Sequence, residues 1–226
     1  SSRSFSSRID PGSSCSLSKM GITHSLTKNL RSPSDGLCGG LAITLMRKIN
    51  RVSSEDMVQR CGVAAGETIV ELGPGSGFFL CEALRTCPSV QKLYGVEISE
   101  RFRRELNANP ALQCKQVEIR GEDAVDMSAF LPEASVDRLV GMNVVYFLTP
   151  LDRYLCEFHR VLRPGGLLFF GCKWQSQKNT SREVSVNVSE SDVINALVAA
   201  GFDVLKEEVD LGNAKSNYTA LRATKR

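Results

Sequence analysis

A glycine-rich run lies where a short apolar segment ends and an amphipathic segment begins. It reads Val70-Glu71-Leu72-Gly73-Pro74-Gly75-Ser76-Gly77. Glycines let a chain turn sharply and bring bare backbone against a ligand, whose anionic part then meets the N–H groups at the start of a helix. The run therefore predicts a ligand-binding loop between a strand and a helix.

Two phosphate-binding motifs fit this run poorly. The dinucleotide fingerprint G-x-G-x-x-G would need Gly or Ala at position 78, because its third glycine lets the helix pack closely on the strand. That position is Phe78. A Walker A loop needs Gly-Lys followed by Ser or Thr, and this triplet does not occur in the sequence. A P-loop is thus the weaker of the two, and a nicotinamide-dependent oxidoreductase stays open with Phe78 as its main difficulty.

Two acids narrow the ligand class. Glu71 lies in an otherwise apolar strand, where a carboxylate costs several kcal/mol unless it is paired or faces a ligand. The ammonium group of an amino acid would pair with it. Glu97 lies twenty residues after Gly77 at the tip of the next predicted strand, where an acid can accept both hydroxyls of a ribose. A solvated strand end is the alternative for either acid alone, and their joint placement disfavours it.

Five motifs in chain order resemble those of class I S-adenosylmethionine-dependent methyltransferases. The resemblance covers about residues 33–226 and is closest to the branch of ubiquinone/menaquinone-type small-molecule enzymes, methyltransferase type 11. The motifs are the run at 71–77, Gly95-Val96-Glu97-Ile98-Ser99, Gly121-Glu122-Asp123-Ala124, Val136-Asp137-Arg138-Leu139 with Met142-Asn143-Val144-Val145-Tyr146-Phe147-Leu148, and Leu162-Arg163-Pro164-Gly165-Gly166-Leu167.

The resemblance implies S-adenosylmethionine as the cofactor and gives its site residue by residue. The loop would cradle the methionine part, with Glu71 at its amino group, while Glu97 would hold the ribose. An extra residue in the third motif leaves Glu122 or Asp123 for the adenine amino group, and Ala124 after it favours Asp123. The remaining implied contacts are Gly73, Pro74, Gly75, Ser76 and Gly77 in the loop, Ile98 and Ala124 at the adenine, and Asn143 beneath the sulfonium.

The catalytic residues are not evident from the sequence. Transfer from a sulfonium is an in-line displacement, so most catalysis can come from holding the acceptor about 3 Å from the methyl carbon. A phenol or enol acceptor would gain from a base, for which Tyr146 is the weak candidate. His159 is better explained as a surface or core residue. We expect a small, lipophilic acceptor, and the roof of its site must come from the polar loop after Cys172 and from the N-terminal helix.

The elements that position these residues alternate along the chain. Apolar spacing predicts a helix over 35–51 and a second helix that starts at Ser53 or Ser54 and ends before Gly62. Strands, among them 113–119 and 167–172, then alternate with helices of about ten residues. These helices include 99–108, opened by a Ser cap, and 191–200, capped by Ser189 or Glu190. The alternation predicts a parallel sheet covered on both faces. Gly212-Asn213 allows a closing hairpin. With the resemblance, we expect an α/β, Rossmann-like, doubly wound, seven-stranded and mostly parallel sheet. Its last strand would be antiparallel, and N-terminal helices would cover the cofactor site.

Composition bounds the partners and the domain organisation. The formal charge of +3 belongs to residues 1–34, which hold five bases, one acid and twelve Ser, whereas residues 35–226 hold 23 bases and 24 acids. A nucleic-acid partner is therefore not expected.

We predict a leader over 1–34 and one methyltransferase domain over 35–226. The leader has the composition of an organelle transit peptide, with a solvated tail or a gene-prediction artefact as alternatives. The protein would then be mitochondrial, and otherwise cytoplasmic.

Other site classes find little support. The eight cysteines include no C-x-x-C pair, and the two histidines are remote from them, so no metal site is expected. Reduced, mostly buried thiols of an intracellular protein are the simpler interpretation. The longest nearly apolar stretch is about half of what a bilayer crossing needs, so no transmembrane segment is expected. Besides an active enzyme and an oxidoreductase, a non-catalytic member of the same fold that assists assembly remains an alternative.

Overall fold

The computed structural model describes residues 50–226, which alternate between helices and strands. Short 3-10 helices lie at Pro110–Leu112, Val145–Phe147 and Trp174–Asn179. The main elements are α1 (50–61), β1 (Thr68–Leu72), α2 (Phe78–Thr86), β2 (Lys92–Val96), α3 (Glu100–Asn107), β3 (Val117–Arg120), β4 (Val136–Met142), α4 (Leu151–Val161), β5 (Leu162–Cys172), α5 (Glu190–Ala199), β6 (Phe202–Val209) and β7 (Tyr218–Lys225).

The strands form one seven-stranded sheet in the order β3-β2-β1-β4-β5-β7-β6. The first five strands pair in parallel, and β7 is antiparallel to both β5 and β6. This confirms the predicted fold class, including the antiparallel last strand. The chain runs outward from β1 to β3 and then returns to place β4 on the other side of β1. Ligands of open α/β sheets bind at the carboxyl end of the strands beside such a switch point.

Alternate residues of the central strands face two separate cores. Val70, Leu139 and Leu168 face one core, which α4 and α5 cover, whereas their neighbours Ile69 and Val140 face the other, which α1 and α2 cover. Strand side chains alternate between faces, so a strand buried on both sides must be apolar throughout. Because helices cover both faces of the sheet, the carboxyl ends of the strands remain as the place where a ligand can bind.

Serine caps begin two helices, and a glycine follows the end of another, near the predicted positions. Ser99 and Ser189 accept hydrogen bonds from backbone N–H groups in the first turns of α3 and α5. Gly62 follows α1 with φ +63°, the left-handed conformation that favours glycine at a helix end. The local signals of the sequence therefore determine most element boundaries.

Three boundary predictions were wrong. No helix starts at Ser53 or Ser54, because α1 runs unbroken through both, and the Ser53 hydroxyl instead donates to the carbonyl oxygen of Ser216 at 2.7 Å. Strand β3 is shorter than the predicted 113–119. Strand β5 starts at Leu162 rather than Leu167, because its pairing with β4 continues across an irregularity in the register.

Several predictions lie outside the described residues, namely the leader over 1–34 and the helix over 35–51 except its last two positions. Within residues 50–226 the six cysteines are unpaired thiols. Only Cys61 and Cys172 are buried, whereas Cys114 and Cys156 are exposed, so the expectation of mostly buried thiols was too broad. Across the same part of the chain, no helix has the length and apolarity needed to cross a bilayer.

Candidate active site

A cleft of about 1160 Å³ opens at the carboxyl edge of the sheet, beside the switch point between β1 and β4. Its walls come from the residues that follow β1, β2, β4 and β5, and from the ends of β6 and β7. Ligand pockets commonly measure about 300–1,000 Å³, so the cleft has room for a nucleoside-sized molecule and a second small one.

The glycine loop after β1 forms the first wall. Gly73, Gly75 and Gly77 all have positive φ, at +59°, +53° and +75°, which residues with a side chain rarely adopt. The N–H of Gly73 donates to the carbonyl oxygen of Val96 at 2.8 Å and ties the loop to β2. Pro74 and Ser76 also line the cleft, whereas Gly77 lies behind it as the N-cap of α2.

Glu71 is the buried acid of this wall. Its side chain is 3% exposed, and its Oε2 atom has no hydrogen-bond partner. Burial, assisted by the nearby charge of Glu97, raises the pKa of the Glu71 carboxyl to about 8. A buried acceptor without a partner costs about 1–3 kcal/mol or more, so this atom is suited to a cationic ligand group. Glu71 also lines the cleft.

Glu97 follows β2 and faces the same cleft. Its Oε2 accepts from the N–H of Gly75 at 3.1 Å, and its Oε1 accepts from the N–H of Ser99 at 2.8 Å. A carboxylate has about four acceptor positions, so two remain for a pair of ligand hydroxyls. Burial raises the pKa of the Glu97 carboxyl. The Arg103 guanidinium donates to the main-chain oxygens of Glu97 and Ile98 at 2.9 and 2.8 Å and holds this strand tip in place.

The two candidate acids after β3 occupy different environments. Asp123 lines the cleft, and its Oδ1 accepts from the Tyr154 hydroxyl at 2.7 Å. Glu122 is not among the residues that line the cleft, and its carboxylate pairs with Arg120 at 2.8 Å. The geometry therefore favours Asp123 over Glu122 as a contact for a ligand in the cleft. Ala124 is buried and lines the cleft, and Ile98 lines it with 41% of its surface exposed.

Asn143 directly follows β4 with φ +57° and lines the cleft. Its side-chain amide donates to Asn50 Oδ1 at 3.2 Å, and its Oδ1 accepts from the N–H of Lys173 at 3.1 Å. Its own N–H donates to the carbonyl oxygen of Gly171. Asn143 thus joins β4 to the residue that follows β5 and to α1.

Tyr146 lies behind the wall of the cleft. The side chain is fully buried and is not among the lining residues. Its hydroxyl accepts from the N–H of Lys173 and lies 3.5 Å from Asn143 Oδ1. Burial raises the pKa of Tyr146 well above its ordinary value. This geometry fits a positioning role for Tyr146 and leaves no route by which it could act as a base on a ligand. His159 packs against Phe202, away from the cleft.

Three residues of this site escaped the sequence analysis. Arg103 and Tyr154 do so because helical spacing explains both equally well as ordinary surface or core residues. Lys173 carried a signal, since a lysine directly after the apolar strand β5 stands where strand ends meet a ligand. Among residues 50–226, no group of three or more His, Cys, Asp and Glu side chains is arranged to hold a metal ion.

Residues 70–170 match the family model described as a methyltransferase domain. The chain is similar, at 25% identity over 190 residues, to a Mycolicibacterium smegmatis protein named as a probable S-adenosylmethionine-dependent methyltransferase. That match covers 76% of this chain and 69% of the relative.

Two solved structures share the fold. A SAM-dependent methyltransferase from Aquifex aeolicus has a TM-score of 0.65 at 22% identity, covering 81% of this chain and 97% of that one. Geranyl diphosphate C-methyltransferase from Streptomyces coelicolor, in complex with Mg²⁺, geranyl diphosphate and S-adenosyl-L-homocysteine, has a TM-score of 0.64 at 17% identity. It covers 85% of this chain and 87% of that one. At these identities the likeness concerns the fold alone.

Proposed function

We propose that the chain is a class I S-adenosylmethionine-dependent methyltransferase that transfers the cofactor's methyl group to a small, lipophilic acceptor. The match of residues 70–170 to a methyltransferase domain and the similarity to a probable S-adenosylmethionine-dependent methyltransferase support this. The cofactor supplies a methyl group on a positively charged sulfur. The protein has to bind it, exclude water and hold the acceptor in line.

The observation that carries this proposal is the buried carboxylate of Glu71. Glu71 lines the cleft beside a glycine loop, one strand away from Glu97, and its Oε2 atom is buried without a partner. An ammonium group would offset the desolvation of Glu71, and two ribose hydroxyls would use the acceptor positions that remain on Glu97. An amino acid joined to a nucleoside satisfies both acids at once, and S-adenosylmethionine is such a molecule.

The other site residues have roles that follow from their positions. Asp123, held by Tyr154, would accept from the adenine amino group, while Ile98 and the buried Ala124 would pack on the ring. Asn143 would form the floor near the sulfonium, because it lines the cleft directly after β4, the strand that pairs with β1 and lies beside the glycine loop. No base is required for an acceptor that already carries a lone pair, since alignment within about 3 Å supplies most of the rate.

The acceptor would pack against apolar side chains. Val144, Phe147 and Leu148 follow β4 and line the cleft next to Asn143. Burial of apolar surface contributes roughly 25 cal/mol per Å², so a lipophilic body gains affinity here without directional contacts. The size of the cleft supports a small acceptor rather than a macromolecule.

Calorimetry tests the cofactor assignment. We expect S-adenosylmethionine and S-adenosylhomocysteine to bind with micromolar affinity and Gly75→Arg to abolish binding, because the new side chain would enter the loop. Asp123→Ala should weaken binding about tenfold or more through a lost charged hydrogen bond, whereas Glu122→Ala should not. Binding of NAD in place of S-adenosylmethionine would refute the proposal.

A transfer assay with labelled methyl groups and a metabolite extract tests turnover. We expect label to appear in a small, extractable product when wild-type protein is used and to be absent with Gly75→Arg. Tight cofactor binding without any transfer would instead identify a non-catalytic member of the fold.

A further inference from the structure

Beyond the residues assigned to the cofactor, the cleft has a wall that we call the apolar wall. The turn after β4 contributes Val144, Phe147 and Leu148 to it, and the 3-10 helix after β5 contributes its first residue, Trp174. All four side chains pack in or against the core that α4 and α5 cover. None of them has a part in the cofactor assignment above, so this wall is available to a second ligand.

Hydrogen bonds hold the apolar wall in its shape. The carbonyl oxygen of Tyr146 accepts from the N–H of Val186 at 2.8 Å, and the side-chain amide of Asn187 donates to the carbonyl oxygen of Leu148 at 2.6 Å. The Tyr146 hydroxyl accepts from the N–H of Lys173, the residue directly before the 3-10 helix. These bonds join the turn after β4 to the chain after β5. The wall is therefore formed without a ligand and can select one by shape and polarity.

The four side chains of the apolar wall contain one polar atom, the indole Nε1 of Trp174. This atom is buried and has no hydrogen-bond partner among residues 50–226. The indole ring packs edge-on against Tyr146, with 5.3 Å between the ring centroids. A buried donor without an acceptor is uncommon in folded proteins and costs about 1–3 kcal/mol. The N–H is therefore suited to a ligand that brings an acceptor atom.

The surroundings of this N–H favour a carbonyl oxygen as its partner. An indole N–H only donates, so the ligand atom has to accept. A hydroxyl would bring a hydrogen of its own, for which the side chains of the apolar wall offer no acceptor. A charged oxygen would be costly to desolvate against these side chains. A carbonyl brings lone pairs without a hydrogen or a charge.

We propose that the methyl acceptor binds against the apolar wall and carries a carbonyl oxygen, which accepts a hydrogen bond from the indole N–H of Trp174. The inference rests on the proposed function and refines its substrate class to lipophilic carbonyl compounds. The carbonyl orients the acceptor, and the nucleophile is another atom of the same molecule. Trp174 is a specificity-determining residue, because a hydrocarbon of the same shape would leave its N–H without a partner.

A small turn of the indole ring brings the N–H to the ligand. Trp174 is half-buried and lines the cleft, although its Nε1 atom has almost no exposed surface. The residue belongs to a 3-10 helix, whose hydrogen bonds have poorer geometry than those of an α-helix, so a small adjustment there costs little. The new hydrogen bond offsets this cost, because it satisfies a donor that is otherwise buried and unpaired in the described chain.

A nuclear magnetic resonance titration tests the hydrogen bond directly. Trp174 is the only tryptophan of the chain, so nitrogen-labelled protein shows one indole N–H resonance. The full chain, loaded with S-adenosylhomocysteine, is titrated with acetophenone and with α-methylstyrene, in which a methylene group replaces the carbonyl oxygen. We expect acetophenone to move the indole proton downfield and to bind about fivefold to tenfold more tightly than α-methylstyrene, the gain from one neutral hydrogen bond.

Several outcomes of this titration would overturn the inference. They are equal binding of the two probes, no binding of either, an indole resonance that does not move, and tighter binding of α-methylbenzyl alcohol than of acetophenone. Each of them leaves the proposed function intact, provided that S-adenosylhomocysteine binds and that label is transferred from S-adenosylmethionine to a product in the extract. Failure of that binding or of that transfer would refute the proposed function instead.

Trp174→Phe keeps an aromatic ring and removes the N–H. We expect the preference for acetophenone over α-methylstyrene to disappear, and the affinity for S-adenosylhomocysteine to stay unchanged. Tyr94→Phe is the matched control, since it also removes one polar atom from an aromatic side chain. Tyr94 packs on Phe130 and is not among the residues that line the cleft.

A second replacement preserves the size of the side chain. If thermal melting shows that Trp174→Phe does not fold, the benzothienyl analogue of tryptophan, in which sulfur replaces the N–H, takes its place. Biosynthetic incorporation changes this site alone, because the chain has one tryptophan. A preference for acetophenone that persists after either replacement would overturn the inference.

Discussion

At the scale of single residues, the buried carboxyl of Glu71 lowers the stability of the protein without ligand as the pH rises. Its carboxyl is buried, and its pKa lies near 8 without a ligand, so the folded protein holds the proton more tightly than the unfolded chain does. Its contribution to stability is therefore fully present below pH 4.5 and is lost as the pH rises through about 8. The rise of the pKa from 4.5 to about 8 corresponds to a loss of roughly 5 kcal/mol in the free energy of unfolding above pH 8, as an order of magnitude.

Glu71→Gln should reverse these effects. Without cofactor we expect the variant to unfold less readily than the wild type at pH 9, with little difference at pH 5, because glutamine cannot ionise. S-adenosylhomocysteine should bind the wild type about tenfold more weakly for each pH unit below 8, and bind the variant weakly throughout. Urea denaturation and calorimetry across this range give both readings. Glu100→Gln, whose side chain is 74% exposed, is the control and should leave both curves unchanged.

A variant of Tyr146 can distinguish a positioning role of this residue from a role as a general base. Tyr146→Phe removes the hydroxyl that meets the N–H of Lys173 and the side chain of Asn143. We expect a loss of about 1–3 kcal/mol in the free energy of unfolding and a lower kcat, because the floor of the site loosens. The shape of the kcat profile against pH should not change. Loss of one limb of that profile would show that Tyr146 transfers a proton.

At the scale of elements, the glycine loop and the start of α2 depend on each other. Gly77 is the N-cap of α2 in the left-handed conformation, and a methyl group on it would lie 2.7 Å from Leu106 Cδ2. Leu106 belongs to α3, so this one position joins the loop, α2 and α3. The loop is therefore shaped by packing below it as well as by its own backbone.

Gly77→Ala should destabilise the protein more than Gly62→Ala. Both positions have positive φ, which costs an alanine roughly 1–2 kcal/mol, but only Gly77 has a side chain in the way. We expect a difference of about 1 kcal/mol or more between the two variants in urea denaturation without cofactor. Equal losses would mean that Leu106 moves aside at no cost.

At the scale of the whole molecule, the sheet closes both of its faces and leaves one edge for ligands. The first half of the cleft is lined by residues that follow β1 to β4, and the second half by residues around the ends of β5, β6 and β7. A ligand in the first half contacts the elements on both sides of the switch point, so its binding should stabilise the entire described domain.

S-adenosylhomocysteine at a hundred times its Kd should add about 2.7 kcal/mol to the free energy of unfolding, or roughly 5–10 °C in Tm. The same shift is expected for a chain that lacks residues 1–34, because the domain is predicted to start at 35. Differential scanning calorimetry of both chains measures this. A smaller shift in the shortened chain would place part of the site in the leader.

The sequence by itself determined the residues at the consecutive strand ends. The glycine loop, Glu71 and Glu97 could be predicted because parallel strands end at one edge, so local order along the chain becomes proximity in space. The sheet and its antiparallel last strand followed from the alternation of elements and from the resemblance. The absence of a helix start at Ser53 could not be predicted, since Ser53 carries a cap signal but lies inside α1, where its hydroxyl donates to the carbonyl oxygen of Ser216.

Only the tertiary structure decided which side chains complete the site. Asp123 rather than Glu122 faces the cleft because Tyr154, thirty-one positions later, holds it, while Arg120 holds Glu122. Tyr146, the weak candidate base, is buried behind the wall of the cleft, where its hydroxyl accepts from the N–H of Lys173. Burial and long-range hydrogen bonds of this kind depend on residues that a local pattern does not contain.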